Sequence, residues 1–179
     1  MTPREAAAGG NVTLILGGAR SGKSRYAERL IELEPAPWIY LATAEARDDE
    51  MKRRITEHRA RRDRRWQTIE APHDLAGALA ALLPRSAVLI DCLTLWLSNR
   101  LLADADIDRE IEGLERALAS HDGAVVAVSN DVGSGIVPDN ALARRFRDLQ
   151  GVLNQRIAAK ASRVVLMVAG LPLAVKEAP

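Results

Sequence analysis

The sequence predicts an α/β fold, a mainly parallel sheet with helices on both faces, and two observations carry that expectation. Short, nearly continuous apolar runs alternate with segments whose apolar residues recur at helical spacing. The first run leads straight into Gly17 to Ser24, GGARSGKS, which meets the phosphate-loop pattern G-x-x-x-x-G-K-[ST] at every required position. Strands that are apolar on both sides are covered on both faces, and consecutive parallel strands need right-handed crossovers, which the helical segments supply.

Each element has its own warrant. Val12, Leu14, Ile15 and Leu16 read as a buried strand, and Arg25 to Leu33 as a helix with Ala27, Leu30 and Ile31 on one side. Strand, glycine-rich loop and helix in that order are the context a phosphate loop requires, so the architecture is P-loop NTPase-like. Behind Glu34-Pro35-Ala36-Pro37, Trp38 to Ala42 reads as a second strand. Leu75, Ala78, Leu79, Leu82 and Leu83 mark a helix that stops at Pro84, ahead of a strand over Ala87 to Ile90. Ile107, Ile111, Leu114 and Leu118 mark the next helix, and Ala124 to Val128 the next strand. Leu142, Phe146, Leu149, Leu153 and Ile157 line a long helix capped by Asp139 or Asn140, before a last strand at Val164 to Val168. Five strands follow from these runs.

Composition narrows the function classes. A chain of 179 residues fits one catalytic domain, residues 11–179, behind a loose leader over residues 1–10 that lacks a signal-peptide core. The formal net charge of +1 offers no whole-protein case for nucleic acid binding. No apolar stretch is long enough to anchor the chain in a membrane. Cys92, the only cysteine, excludes an internal disulfide and points to a reducing cytoplasm.

The phosphate loop predicts a nucleoside triphosphate site. Backbone N–H groups of the glycine turn and of the following helix terminus face phosphate oxygens, Lys23 reaches the β/γ-phosphates, and the Ser24 hydroxyl meets Mg²⁺. Ligands of such sheets collect at the carboxyl ends of strands, which singles out Thr43, Asp91 and Asn130, with Asp91 as the second metal residue. Arg47 to Arg65 carries nine Lys and Arg against five acids. In a helical register Arg54, His58, Arg61, Arg62 and Arg65 share one side, so a histidine sits among cations. Such a neutral imidazole suits attack on phosphorus, with guanidinium groups steadying the anionic oxygens and lowering the histidine pKa. His73, after Pro72, and His121, beside Asp122-Gly123, read as structural. Ser129 to Asn140 is a long shaped loop that holds substrate or merely connects, and Arg144, Arg145 and Arg147 follow it.

GGARSGKS, YLATAEARDDEM, RITEHRARR, WQTIE, the strand-end Asp91 and SNDVGSGIVPDNALARRFRDLQGVLNQRIA together resemble the bifunctional adenosylcobinamide kinase and adenosylcobinamide-phosphate guanylyltransferase family of cobalamin biosynthesis. The resemblance implies that GTP guanylylates His58, which passes GMP to adenosylcobinamide phosphate, itself made by a kinase step on adenosylcobinamide. It implies a nucleotide site of Gly17, Gly18, Ala19, Arg20, Ser21, Gly22, Lys23, Ser24, Leu41, Ala42, Thr43, Arg59, Ala60, Arg61, Arg62, Glu70 and Asp91. It further implies GTP or ATP as substrate and a homo-oligomer, a trimer being one option. Some relatives carry a second histidine where this chain has Glu57, and Glu where it has Asp91. Two rivals stay open on the residues alone: a small-molecule or nucleotide kinase without a covalent histidine, and a GTP-dependent switch, although no N-K-x-D motif is present.

Overall fold

The computed structural model describes residues 11–177, the Arg54 side chain excepted, and the expected leader lies outside the described residues. Every apolar run expected as a strand is one: β1 (Val12–Gly17), β2 (Trp38–Ala42), β4 (Ala87–Asp91), β5 (Val125–Val128) and β6 (Arg163–Val168). Among the described residues, β3 (Trp66–Glu70) and β7 (Leu171–Lys176) raise the expected five to seven. These two are the edges of the sheet, whose order is β3-β2-β4-β5-β1-β6-β7. β3 buries only Trp66 and β7 buries nothing, so neither shows an apolar run. All neighbouring strands pair in parallel except β7, which returns antiparallel to β6.

Helices cover both faces, as expected. On one side α1 (Lys23–Ile31) packs Ala27 and Ile31 against Ile15, Leu89, Val126 and Val165. On the other, α3 (Leu75–Ala80), α4 (Leu93–Leu102), α5 (Ile107–Ser120) and α6 (Ala141–Lys160) enclose a larger core around Leu14, Leu41, Ile90 and Trp96. α4 had no sequence expectation. Its residues are buried nearly all round, so it lacks the polar face that marks a surface helix. α3 ends at Ala80, short of the expected stop at Pro84, and Leu83 is 78% exposed.

α2 (Asp49–Ala60) is the basic helix, and none of its described side chains is buried. Its amino end is fixed by the Asp48 carboxylate, which accepts from the Met51 N–H at 2.7 Å. It stops at Ala60, so Arg62 and Arg65 leave the helical side on which the sequence placed them. Asn140 is the cap of α6, accepting from the Ala143 N–H at 2.7 Å, which settles the choice between Asp139 and Asn140.

Candidate active site

The loop between β1 and α1 is built for close backbone approach. Gly17 has φ +152°, and a Cβ there would stand 2.7 Å from the Met167 carbonyl oxygen, while Gly22 has φ +93°. Gly22 also occupies the cap position of α1, where no side chain caps the helix and no acid lies in the first turn. The first N–H groups of α1 are thereby left to an anion, with the helix dipole in support. Lys23 is 8% exposed, and its Nζ donates to the Gly18 carbonyl at 2.7 Å, folding the ammonium back over the loop.

A cavity of about 620 Å³ opens at the carboxyl ends of the central strands. Lys23 and Ser24 enter it from α1, Ala42 from β2, His58 and Arg59 from α2, Glu70 from β3 and Asp91 from β4, with Arg62 and Asn130 beside them. Residues far apart in the chain thus line one cavity. His58 Nδ1 lies 3.9 Å from Asp91 Oδ2, with side chains 23% and 10% exposed. The sequence counted only cations around this histidine; the structure adds a carboxylate.

The expected residues fall into three groups. Gly17, Gly18, Ala19, Arg20, Ser21 and Gly22 form the loop itself and are not among the residues lining the cavity. Leu41 is fully buried in the core on the opposite face, because alternate side chains of β2 point to opposite sides, and only Tyr40 and Ala42 face the cavity. Thr43 is also fully buried: its hydroxyl donates to the Cys92 carbonyl and accepts from the Cys92 N–H, both at 2.7 Å. A ligand reaches Leu41 and Thr43 only through their backbones. Ala60 and Arg61 end the helix outside the cavity lining.

The basic run is not a bare cationic stripe. Arg59 lies 3.4 Å from Glu70, Arg65 lies 2.6 Å from Asp63, and Arg61 and Arg62 stand 4.0 and 3.8 Å from Glu28. Arg62 is 6% exposed at the side chain and stacks 3.5 Å above the Tyr40 ring. Burial pushes the Glu28 carboxyl up, against the pull of Arg61 and Arg62. Burial, then the Asp91 charge, hold the Tyr40 phenol well above its usual value, so it remains a hydrogen-bond donor. That donor gives 3.0 Å to Asp91 Oδ2. Sequence reasoning missed Tyr40 and Glu28, because a tyrosine inside WIYLA reads as strand and a lone acid in a helix as solvated.

The other histidines have partners of their own and are not among the residues lining the cavity. His73 Nε2 lies 2.9 Å from the Glu45 carboxylate, and His121 Nε2 lies 2.8 Å from the Ser86 carbonyl.

Comparison with known proteins decides the family. The model of the cobinamide kinase / cobinamide phosphate guanyltransferase family matches residues 13–175. The chain belongs to that family. As a cobinamide kinase / cobinamide phosphate guanyltransferase family member, it is 49% identical over 169 residues to the bifunctional adenosylcobalamin biosynthesis protein CobP of Pseudomonas aeruginosa, covering 93% of this chain and 98% of that one. It is 42% identical over 179 residues to the bifunctional adenosylcobalamin biosynthesis protein CobU of Salmonella typhimurium, covering 91% of this chain and 98% of that one. Solved structures confirm the P-loop NTPase fold. A prototypical type III secretion ATPase of pathogenic bacteria aligns at TM-score 0.55 and 13% identity, over 87% of this chain and 50% of that one. The type III secretion ATPase EscN of enteropathogenic E. coli aligns at 0.56 and 14%, over 89% and 43%. Among the described residues of this family member, no helix is long and apolar enough to cross a membrane.

Proposed function

We propose that the protein phosphorylates adenosylcobinamide and then transfers GMP from GTP, through His58, to adenosylcobinamide phosphate, giving adenosylcobinamide-GDP. The single observation that carries the reading is that His58, Lys23, Ser24 and Asp91 line one cavity. The names of the relatives support the two activities and the corrinoid substrates.

In the kinase step the hydroxyl of the aminopropanol arm attacks the γ-phosphorus of a triphosphate whose anionic tail lies against the loop N–H groups and the Lys23 ammonium; the new O–P bond forms as the bond from the γ-phosphorus to the β-phosphate bridging oxygen breaks, the nucleoside diphosphate leaves, and the hydroxyl proton passes to water. In the transfer step a ring nitrogen of His58 attacks the α-phosphorus, beside the Asp91 carboxylate, whose Oδ2 lies 3.9 Å from Nδ1. The N–P bond forms, the bond to the β-phosphate oxygen breaks, and pyrophosphate leaves. The imidazole becomes cationic as it forms that bond, and the Asp91 carboxylate stabilises the charge. A phosphate oxygen of adenosylcobinamide phosphate then attacks the same phosphorus, the N–P bond breaks, and neutral His58 is restored. Arg59 and Arg62 offset the negative charge gathered in the cavity.

The Ser24 hydroxyl and the Asp91 carboxylate are hard oxygen donors lining the same cavity, and this set fits Mg²⁺, which takes one or two protein oxygens and completes its shell with phosphate and water. When bound, Mg²⁺ supplies charge neutralisation at the phosphate oxygens.

The test is incubation with GTP labelled at the α-phosphate. An acid-labile, alkali-stable protein adduct that persists in His73→Ala and vanishes in His58→Ala is the expected outcome. Equal labelling of the two variants removes His58 from the mechanism, and no adduct in the parent protein favours a kinase that uses the phosphate loop alone.

A further inference from the structure

Tyr40 has no part in the reaction as described, yet it is 5% exposed and its hydroxyl is directed at a carboxylate in the site. We propose that Tyr40 is a positioning residue: its phenol holds the Asp91 carboxylate in the orientation that serves the metal–triphosphate, and Arg62 holds the phenol. This rests on the assignment of Asp91 to the metal made above.

The geometry follows from the sheet. β2 and β4 are parallel neighbours, with Ala42 opposite Asp91. Tyr40 lies two residues before Ala42 and so projects on the same face, from where its long side chain reaches up to the strand end. Asp91 is the last residue of β4 and is paired with Ala42 and Val128, so its backbone is fixed while its carboxylate still turns about the side-chain bonds. A carboxylate there has rotamer freedom that must be lost when it ligates an ion. The bond of 3.0 Å from the Tyr40 hydroxyl to Oδ2 removes that freedom in advance. Fixing one oxygen against a rigid donor sets the carboxylate plane, and with it the direction of Oδ1.

The donor is itself rigid. The Arg62 guanidinium covers one face of the ring at 3.5 Å, and the Trp66 ring meets Tyr40 edge-on at 78° with centroids 6.3 Å apart. A phenylalanine would fill the same space, so packing does not account for the hydroxyl. Burying a hydroxyl costs free energy unless it is bonded, and here its partner is the Asp91 carboxylate. Carboxylates that ligate metals are commonly held by such outer partners, whose loss costs about 10–100-fold in metal affinity or activity.

Tyr40→Phe removes one oxygen and keeps the ring beneath Arg62. The full-length variant is compared with the parent protein for Mn²⁺ binding to the enzyme–GTP complex, read by electron paramagnetic resonance, for the Mg²⁺ dependence of GMP transfer, and for GTP affinity in EDTA. Mn²⁺ affinity is expected to fall, and the half-maximal Mg²⁺ concentration to rise, by about 10–100-fold. Saturating Mg²⁺ is expected to restore most of the rate, and GTP affinity in EDTA to stay at the parent value. Asp91→Asn is measured in parallel. If Asp91→Asn is impaired while Tyr40→Phe matches the parent in both metal readouts, the positioning role is overturned and the site reading stands. If Tyr40→Phe loses GTP affinity in EDTA, its role is general packing and the proposal falls. If Asp91→Asn itself matches the parent, the metal assignment fails and takes the proposal with it.

Discussion

Nδ1 of His58 stands 3.9 Å from Oδ2 of Asp91, joining a helix without a buried described side chain to the end of an interior strand of the sheet. α2 is therefore positioned by charge and capping rather than by an apolar stripe: Asp48 caps its amino end, and Arg61 and Arg62 lean on Glu28 just past its carboxyl end.

His58→Ala is expected to abolish GMP transfer while the kinase step persists, since γ-phosphoryl transfer to an alcohol needs the loop, Lys23 and the metal but no imidazole. Separate assays of adenosylcobinamide phosphorylation and of GMP transfer check this. Loss of both activities with an intact fold would place His58 in nucleotide binding instead.

Lys23→Ala is expected to weaken GTP binding by about 10–100-fold, the equivalent of one charged hydrogen bond of roughly 1.5–3 kcal/mol, and to impair both activities. Titration with a fluorescent GTP analogue reads the affinity.

Gly17→Ala is expected to damage the site more than Gly22→Ala. A Cβ at Gly17 meets the Met167 carbonyl oxygen at 2.7 Å, which is backbone and cannot swing away, whereas at Gly22 the nearest atom is 3.5 Å off and only the φ of +93° is strained. Strain of that kind costs about 1–3 kcal/mol. Urea unfolding and GTP affinity of the two variants give the ranking.

Two glutamates are expected to give opposite pH slopes of stability. Hydrogen bonding to Arg156 holds Glu115 below the ordinary value of 4.5, so the unfolded chain binds more protons between those two values. Its contribution is complete above 4.5 and is lost as the pH falls through the lowered value. Burial lifts Glu28 above 4.5, so the folded state binds more protons there, and stability rises as the pH falls through the raised value. Urea midpoints across pH are expected to lose the acid decline in Glu115→Gln and the opposite slope in Glu28→Gln.

Cys92 is expected to resist alkylation at neutral pH. It is 8% exposed, and burial, with the neighbouring Asp91 charge, pushes its thiol up to about 11, so the reactive thiolate is scarce. Mass spectrometry after iodoacetamide treatment should find it unmodified in native protein and modified in urea. Rapid native modification would show that the thiol of Cys92, which lines the cavity, is reached from it in the folded protein.

The sequence by itself determined the phosphate loop, the five strands with apolar runs and the alternation with helices, because each is written in a short window: a fixed spacing of glycines and lysine, or a period in hydrophobicity; it also singled out His58 as a candidate. It left the edge strands β3 and β7 unread, since an edge strand buries little and shows no run, and it extended the basic helical side past Ala60, where α2 ends. It grouped Leu41 and Thr43 with the nucleotide residues, though the tertiary structure buries both side chains. Only the tertiary structure decided that Arg62 lies buried over Tyr40, that Tyr40 bonds Asp91, and that Asp91 faces His58. The reason is the strand order: β2 lies beside β4 although β3 intervenes in the chain, so side chains about fifty residues apart meet in a poorly hydrated space where charge and hydrogen bonding weigh most, and no local pattern records such a meeting.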